Sequence, residues 1–513
     1  MKNSKKILIL VIILFFAVPG TAFAGAGTMG FSGGISEGVR MPTITARLLD
    51  PTLNGRRSID GEFLYSEMIF LSGVPTRFDG MIGVARSGTV SDDPMGSYTL
   101  TNTVFAGFNT GEDVMIDRFL SFDVEWRRHG NQIVKTYSMS SWDETITVGE
   151  ETFTLDPDRS FFNVSILEDH NPGIAFYRGH ISKRAVFTDG EGEDGDENFI
   201  VKEAMGHIYG FDSPFSSTET QSLDVWIMAP NWQMSYQLRP SVSVTTSLMY
   251  QATFPTAISF PGNYLHFMEN QSVLAYDIFV IPQPFFFIEN RGSINIPTHS
   301  TFEQLPGLDL TFLRGHFAEQ DISRLFAQQI LTGPTHHFQP SQAMTRGEFI
   351  TALTRALRIE VPMIQPATGI FNRTVRIVFP DVLQTRPEYP YIMAAYRSGL
   401  AYGRADGNFH IDSPISRQEV VVTLIRGLGL ENVSPNPTLI TPFADGNQIS
   451  SWALREIAAA VELGLIDPDS NGNFRPTEPV TKAEGAALIN RFIDYMRQDL
   501  VRDYSERMVS FIW

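Results

Sequence analysis

One stretch of sequence is repeated three times near the end of this 513-residue chain. It reads ADGNFHIDSPISRQEVVVTLIRGL over 405–428, NGNFRPTEPVTKAEGAALINRF from 471 onwards and, more faintly, HHFQPSQAMTRGEFITALTRAL from 336 onwards. Each copy ends with apolar residues at helical spacing, and a second helical pattern (DISRLFAQQIL, YIMAAYRSGL or ALREIAAAVELGL) precedes it. A helix–loop–helix unit with a period near 65 to 70 residues is an internal repeat, so we expect an all-α module of three units.

The second helix of each unit begins with the pattern Ser/Thr-x-x-Glu. This is a capping box, in which the hydroxyl accepts a hydrogen bond from the backbone N–H three residues on and the glutamate accepts one from the backbone N–H of the cap. The boxes run from Thr345 to Glu348, from Ser416 to Glu419 and from Thr481 to Glu484. The pattern predicts three helix starts and accounts for these residues on structural grounds alone.

A basic residue follows the cap in every copy: Arg346, Arg417 and Lys482. A cation at a helix N-terminus meets the partial positive charge there and is disfavoured by roughly 0.3–1 kcal/mol, so three equivalent placements suggest a reason. Two reasons remain open from the spacing. Free N–H groups and an added cation suit a carboxylate or phosphate ligand. Alternatively, each cation pairs with an Asp or Glu of a neighbouring unit.

Other residues recur at matching positions and suit a sugar-like ligand. An aspartate opens each unit, and an aromatic residue follows seven or eight residues later. The aspartates are Asp309, Asp381 and Asp445, and the aromatics are Phe317, Tyr389 and Trp452. A carboxylate accepts hydrogen bonds from hydroxyls and an aromatic ring stacks on a pyranose, although a single aromatic is more often part of a core. Gly333 and Gly403 follow the first helices, where a glycine is common.

With these motifs in place, the last 200 or so residues resemble three S-layer homology (SLH) repeats. The resemblance is carried by FPD, SGLAYGRADGNFHIDSPISRQE, FAD, WALREIAAAVELGLID and NGNFRPTEPVTKAE, and it is degraded in the first copy, where GPTHHFQPSQAMTRGE replaces the usual turn. It implies a pseudo-threefold helical module that binds a secondary cell wall polymer, often through a pyruvylated sugar. By position, the polymer-binding residues it implies are Arg346, Arg417, Lys482, Asp309, Asp381, Asp445, Trp452, Gly333 and Gly403.

Two departures from the SLH pattern affect the third unit. Lys482 lacks the bidentate fork of an arginine, and Asp467 stands where we expect the loop glycine. The segment from Asp467 to Glu478 also matches the D-x-D-x-N-G-x5-E pattern of calcium loops. Pro476 and Pro479 flank Glu478, where such a loop should lead into a helix, so a plain turn is the favoured interpretation and calcium the lesser one.

Before residue 301 the pattern is that of strands and turns. FDVEWRR at 122–128 alternates apolar and charged residues, and ETITVGEETFTL, SLDVWIM and SVSVTT have the same period of two. With frequent Gly and Pro, this predicts a mainly antiparallel, sandwich-like β domain. TDGEGEDGDEN at 188–198 is typical of a solvated hairpin tip, with calcium binding again the lesser interpretation.

The chain is therefore expected to be multidomain. The expected bounds are 1–24 for a secretory signal peptide, 25–300 for the β-rich domain, 301–360, 375–430 and 440–497 for repeats one to three, and 498–513 for a C-terminal tail. The signal peptide is predicted from a basic start, an apolar run at 7–18 and an Ala-x-Ala exit. That run is shorter than a bilayer span of about 20 residues, so we expect no membrane association after cleavage.

The chain has no cysteine and a net charge of −18. We therefore expect a fold that relies on its cores, no cofactor, and no nucleic-acid partner. The leading hypothesis is a secreted cell-surface protein, held on the wall by its repeats, with the β-rich half as a surface-layer, adhesive or binding domain rather than an enzyme. Surface-layer proteins are then further candidate partners. The alternative is a wall-anchored polysaccharide hydrolase with carboxylate catalysts in the β-rich half.

Overall fold

The computed structural model describes residues 34–36, 61–88, 93–105, 114–188, 199–250, 264–282, 288–296, 301–305, 308, 310–361, 378–431 and 442–504. Within them, a β-rich half is followed by a helical half. The expected signal peptide, Asp309 and the acidic stretch at 189–198 lie outside the described residues.

Fifteen strands of the described residues form one antiparallel sheet. Their bounds are β1 Ile35–Ser36, β2 Gly61–Ile69, β3 Thr76–Ser87, β4 Met95–Phe105, β5 Val114–His129, β6 Gln132–Val148, β7 Glu151–Leu155, β8 Phe161–Asn171, β9 Ile174–Thr188, β10 Phe199–Asp212, β11 Ser216–Met228, β12 Trp232–Tyr250, β13 Tyr264–Pro282, β14 Ile288–Ile296 and β15 Thr301–Gln304. Strand order follows the chain, except that β7 and β8 both pair with β6 and β9, and β15 pairs with β13. The period-two pattern predicted these antiparallel strands correctly.

The strands do not separate into the two packed sheets of the expected sandwich. Instead β1 approaches β12 and β13, and β2 approaches β14, so the sheet curls until its ends come together. We call this unit the rolled sheet. Its inward face encloses one apolar core that includes Tyr65, Phe122, Tyr137, Phe162 and Tyr236. Alternate residues of each strand point inward, so one curled sheet buries the apolar side chains that we expected to lie between two facing sheets.

Seven helices of the described residues build the helical half. Their bounds are α1 Glu319–Ala327, α2 Arg346–Ala356, α3 Tyr389–Arg397, α4 Arg417–Leu428, α5 Leu454–Glu462, α6 Lys482–Asp494 and α7 Leu500–Asp503, with a π-helical turn at Tyr495–Asp499. All three predicted capping boxes are formed, at the starts of α2, α4 and α6. The helix starts were therefore predicted correctly.

The second helix of each unit packs against the first helix of another unit. α2 contacts α3, α4 contacts α5, and α6 returns to contact α1. Arg324 of α1 and Asp494 of α6 form an ion pair at 2.8 Å across this last contact. The three units therefore close into a ring, and each loop between two helices of one unit lies beside a helix of its neighbour.

Three residues of the rolled sheet and its turns, Ile174, Phe211 and Phe215, are buried in the core of the helical half. The ring of Tyr504, which follows α7, lies 6.0 Å from that of Phe176 and 5.1 Å from that of Phe211, and its hydroxyl donates to the carbonyl of Gly210 at 3.1 Å. These strand residues belong to the rolled sheet, so the sheet is docked on the helices through buried aromatic contacts rather than joined by the chain alone.

The turn between β8 and β9 makes a second contact between the halves. The N–H of Gly173 donates to the carbonyl of Gly427 at 2.8 Å, and a Cβ at Gly173 would lie 2.5 Å from Leu357 Cδ2. The β-rich half also extends a few residues beyond the expected boundary at 300, because β15 pairs with β13.

Gln329 occupies a left-handed backbone position that glycine fills in the other two units. Its φ is 58°, against 80° for Gly399 and 68° for Gly464. Since this conformation strains any residue with a Cβ, Gln329→Gly is expected to raise the free energy of unfolding by about 0.5–1 kcal/mol in urea denaturation. Gly464→Gln is the matched reverse change, because nothing lies within 4 Å of an added Cβ there, and it should destabilise. A less stable Gln329→Gly protein would contradict this account.

Candidate functional site

The three cations that directly follow the capping residues form a closed ring of ion pairs. The pairs are Arg346–Glu419 at 2.8 Å, Arg417–Glu484, and Lys482–Glu348 at 2.6 Å. Each acceptor is the capping-box glutamate of another unit. Of the two reasons left open for the cations, pairing with a neighbouring unit is therefore present in the structure. A ligand role now depends on which cation keeps a donor and open space beside it.

Two glutamates of the ring, Glu419 and Glu484, have pKa values below the usual range. Burial would raise the pKa of Glu484, but the backbone N–H of Thr481 and the guanidinium of Arg417 outweigh it and lower that pKa. Burial would also raise the pKa of Glu419, but the backbone N–H of Ser416 and the guanidinium of Arg346 lower it, and the net shift is downward. Each capping-box glutamate therefore stabilises its own helix start and the contact between units.

The guanidinium of Arg346 makes all of its hydrogen bonds within the protein. Its Nε donates to the carbonyl of Phe409 at 3.0 Å, Nη1 to Glu419 at 2.8 Å and Nη2 to the carbonyl of Tyr402 at 3.2 Å. The residue is 8% exposed. With all three guanidinium nitrogens bonded and the side chain buried, Arg346 joins two units and is poorly placed to receive a ligand.

Arg417 has a different environment. One of its terminal nitrogens pairs with Glu484, but its Nε is buried and has no hydrogen-bond partner among the described residues. Arg417 also lines an open cavity of about 600 Å³, bounded by α6, the loop at 463–475 and Phe317. We call this cavity the Arg417 groove. Lys482, by comparison, donates to Glu348 and lies 5.9 Å from the ring of Phe338.

Charged groups of both signs line the Arg417 groove. The cations are Arg417, Arg475 and Arg491, and the carboxylates are Asp321, Asp467, Asp469, Glu484, Asp494 and Asp499. Arg491 lies 2.9 Å from Asp467, and Arg475 lies 3.3 Å from Asp469. Because six carboxylates face three cations, the groove disfavours a polyanion but offers many acceptors to hydroxyl groups.

The aspartates that open the units hold the turns of those same units. Asp381 accepts hydrogen bonds from the backbone N–H groups of Phe409 at 2.8 Å and His410 at 2.6 Å. Asp445 accepts in the same way from the two equivalent N–H groups of its unit, both at 2.8 Å, and is 8% exposed. Both carboxylates thus position the loop that borders a groove. Asp309, the third predicted member, is outside the described residues.

The predicted aromatic residues differ in where they lie. Phe317 is 74% exposed and lines the Arg417 groove. Trp452 is 53% exposed and lies before α5, where the neighbouring Ser450 N–H donates to Gln418 of α4 at 3.1 Å. Trp452 therefore lies close to α4 of the second unit, and it is not among the residues that line the Arg417 groove.

The two predicted glycines also differ. A Cβ at Gly403 would lie 2.7 Å from Phe379 Cε1, so this position is closed by packing. Gly333 has a φ of 110° and nothing within 4 Å of an added Cβ, so its backbone conformation is what requires glycine.

The alignment of the third unit differs from the expectation by one residue. Gly399–Gly407 and Gly464–Gly472 begin and end with left-handed glycines, which fixes the alignment of the two loops. Gly403 then corresponds to Pro468, not to Asp467. The expected replacement of the loop glycine by Asp467 was wrong, because sequence letters alone did not show which glycines share a backbone conformation.

The calcium-like motif forms a turn that uses its own carboxylates. Asp469 accepts from the backbone N–H groups of Asn471 at 2.8 Å and Asn473 at 3.0 Å, and Arg475 lies 3.3 Å from both Asp469 and Glu478. In the part of the chain that the structure describes, no group of three or more His, Cys, Asp or Glu residues is arranged to hold a metal ion. Nor is any helix in that part long and apolar enough to cross a membrane.

Comparison with known proteins identifies two of the three helical units. Residues 378–421 and 442–486 match the S-layer homology domain. The chain carries S-layer homology domains. The matches cover the second and third units, which are the units that supply Arg417, Glu484 and the loop of the Arg417 groove.

Several known proteins are similar to part of this chain. An endoglucanase of Bacillus sp. (strain KSM-635) is 32% identical over 29% of the chain and 15% of the relative. The surface-layer 125 kDa protein of Lysinibacillus sphaericus is 26% identical over 35% of the chain and 14% of the relative, and the S-layer protein EA1 of Bacillus anthracis is 24% identical over 34% and 19%. The chain thus spans less than a fifth of each of these relatives. The SLH domain and the surface-layer relatives indicate a location at the cell surface, on the cell wall.

Sequence analysis missed two cations of the Arg417 groove, Arg475 and Arg491. A signal for Arg475 was present, because it follows GNF in the third unit as His410 follows GNF in the second. No local signal marks Arg491, because its place in the groove depends on the closure of the ring.

Proposed function

We propose that the SLH module anchors the chain to a secondary cell wall polymer, and that the Arg417 groove receives it. The ligand is a glycan with single, well-separated carboxylate groups, of which a pyruvylated sugar is the example that the SLH resemblance suggests. The β-rich half then acts as a surface-layer, adhesive or binding domain held at the wall.

One observation carries this proposal: Arg417 begins α4 beside an open cavity of about 600 Å³ and has a buried Nε without a partner in the described part of the chain. A ligand carboxylate in the cavity would bond the side of the guanidinium that the cavity exposes, while Nη2 stays on Glu484. Charge-assisted bonds of this kind are roughly twice as strong as neutral ones.

The other groups of the groove support a glycan rather than a simple anion. Asp467 and Asp469 suit hydroxyl donors, and the exposed ring of Phe317 suits the apolar face of a sugar. Since carboxylates outnumber cations, a densely charged polymer would be repelled. An isolated carboxylate can sit at Arg417 while neutral sugars occupy the acidic part.

The cyclic helix contacts and the ring of ion pairs support a pseudo-threefold arrangement of the three units. In such an arrangement, Arg346 and Lys482 border equivalent positions. Arg346, Lys482, Asp381, Asp445, Trp452, Gly333, Gly403 and the undescribed Asp309 remain proposed members of polymer sites. Arg346, Asp381 and Asp445 have their polar groups bonded within the protein. We assign these three the role of shaping a groove rather than that of contacting the polymer.

The hydrolase alternative lacks a comparable observation among the described residues. Some relatives are named as glycoside-degrading enzymes, but the matched part is a small share of their length. The rolled sheet does bury two neighbouring carboxylates, Glu67 and Glu144. Both are bonded to Arg118 in the interior of the sheet, so they do not form a catalytic pair that faces a substrate cleft.

Co-sedimentation tests the anchor. The full chain is mixed with purified Gram-positive walls that carry a pyruvylated secondary polymer, and with the same walls after the polymer has been extracted. We expect the chain to pellet with the intact walls and to stay in solution with the extracted ones. Equal pelleting with both, or with neither, would refute the proposal.

A further inference from the structure

Two histidines lie side by side on the outer face of the rolled sheet. His180 of β9 and His207 of β10 are directly opposite each other in the register of these two strands. Both residues are exposed, and their ring centres are 4.8 Å apart with the ring planes inclined by 66°. Directly opposite residues of an antiparallel pair have Cβ atoms about 4.5–5.5 Å apart, so the two imidazoles share one small region above the sheet.

The neighbouring strands leave this region open. Ser165 of β8 lies opposite His180 on its other side, and Ser222 of β11 lies opposite His207 on its other side. Because serine is small, neither flank covers the imidazoles. His180 makes no hydrogen bond or ion pair with the residues that the structure describes. The ring nitrogens of His180 are therefore open to a ligand from solution.

The separation of the two rings matches that of two ligands on one metal ion. A histidine nitrogen lies about 2.0–2.1 Å from a bound zinc ion and about 1.1 Å from its own ring centre, so each ring centre lies about 3.2 Å from the ion. Two such ligands at an angle of about 90–109° around the ion have ring centres about 4.5–5.2 Å apart. The observed 4.8 Å falls in this interval. Rotation of the side chains, without movement of the strands, can therefore direct one nitrogen of each ring at a common ion.

The scaffold under the pair is fixed on both sides. β9 pairs with β8 and β10, and β10 pairs with β9 and β11, so both histidines stand on interior strands of the sheet. Ligands on paired strands keep their spacing more precisely than ligands on loops. The distance between the two backbone positions is therefore set before any ion binds.

The ligands indicate the kind of ion. Imidazole suits zinc, copper and nickel, whereas calcium and magnesium prefer oxygen ligands. For the same ligands, affinity along the first-row divalent metals is highest for copper(II). Among the residues that the structure describes, no third His, Cys, Asp or Glu completes a metal-binding group, so water fills the other coordination positions. Such a site is exchangeable, and the net charge of −18 favours a cation over an anion there.

We propose that His180 and His207 bind one divalent transition-metal ion, copper(II) most tightly, on the outer face of the rolled sheet. The ion joins β9 to β10 and keeps coordination positions that are open to solvent. The site is independent of the wall-binding proposal, since no residue of the Arg417 groove takes part.

Calorimetric titration of the full chain, without an affinity tag, with copper(II) chloride tests the site. His336 and His337 are a second exposed pair, with ring centres 4.1 Å apart, so both are first replaced by glutamine to give a background protein. We expect the background protein to bind one copper ion. Adding His180→Gln or His207→Gln should weaken this binding at least tenfold, because loss of a mere outer partner of a ligand already costs about 10- to 100-fold. Adding His129→Gln, which removes an exposed single histidine of β5, should leave it unchanged.

The alternatives give different results. Copper binding that is equally tight after His207→Gln would place the ion elsewhere on the surface and overturn the proposal, as would a background protein that binds no copper. Electron paramagnetic resonance of the bound copper gives a second measurement that needs no further substitution. Two imidazole nitrogens on the copper of the background protein support the site, and fewer than two refute it, even if His207→Gln does not fold.

Discussion

Arg417→Ala is expected to weaken binding of the chain to a pyruvylated wall polymer by about 10- to 100-fold. The substitution removes a charge-assisted hydrogen bond to the ligand carboxylate, which contributes about 1.5–3 kcal/mol. It also leaves Glu484 without its main cation, which adds a further carboxylate charge to an already acidic groove. The dissociation constant from co-sedimentation with increasing amounts of wall measures the effect.

Variants at the other two cations distinguish a ligand role from a structural one. Lys482→Ala should reduce wall binding less than Arg417→Ala, because Lys482 offers no fork to a carboxylate. Arg346→Ala should mainly lower stability, because it leaves two backbone carbonyls without their donor and removes one of the two arginines that pair with Glu419. If all three variants lost equal and negligible affinity while remaining folded, an anion site at Arg417 would be ruled out.

Arg118→Met is expected to lower the free energy of unfolding by about 3–5 kcal/mol. Arg118 is 3% exposed and bonds both Glu67 and Glu144, and its loss removes the cation that is hydrogen-bonded to these two buried carboxylates. Burial would raise the pKa of Glu67, but Arg118 outweighs it and lowers the value to about 2, so the carboxylate depends on this partner. Urea denaturation followed by tryptophan fluorescence measures the change.

Two further variants show whether the loss comes from unpaired charge. Arg127→Met removes an exposed arginine from the same strand and should change stability by no more than about 0.5 kcal/mol. Combining Arg118→Met with Glu67→Gln and Glu144→Gln should recover much of the loss, since the buried carboxylates are then absent. A triple variant less stable than Arg118→Met would contradict the explanation by unpaired carboxylates.

The helix starts were predictable because a capping box is local: Thr345, Ser416 and Thr481 each sit three residues before the glutamate that they need. The strands were predictable for the same reason, since alternation is visible within one segment. The rolled sheet was not, because a sandwich and a single curled sheet give the same alternation. The choice between them depends on which distant strands meet, here β1 and β2 with β12 to β14.

The site was predictable only in part. Spacing identified Arg346, Arg417 and Lys482, but it could not show that, of these three, Arg417 lines the open cavity and has an unpartnered Nε among the described residues. The charged residues buried in the rolled sheet had a signal that sequence analysis missed. Arg118 alternates in phase with the buried Ile116 and Leu120, and Lys202 with Ile200 and Ala204. In both strands the pattern therefore placed a charged residue on the inward face of the sheet.

The central claim is that a carboxylate on a wall glycan binds at Arg417. Calorimetric titration of the full chain with a purified pyruvylated polymer fragment, and with the same fragment after mild acid has removed its pyruvate, tests it most directly. The account predicts saturable binding of the pyruvylated fragment, with an affinity at least about tenfold higher than that of the treated one. Equal affinities for the two fragments would contradict it.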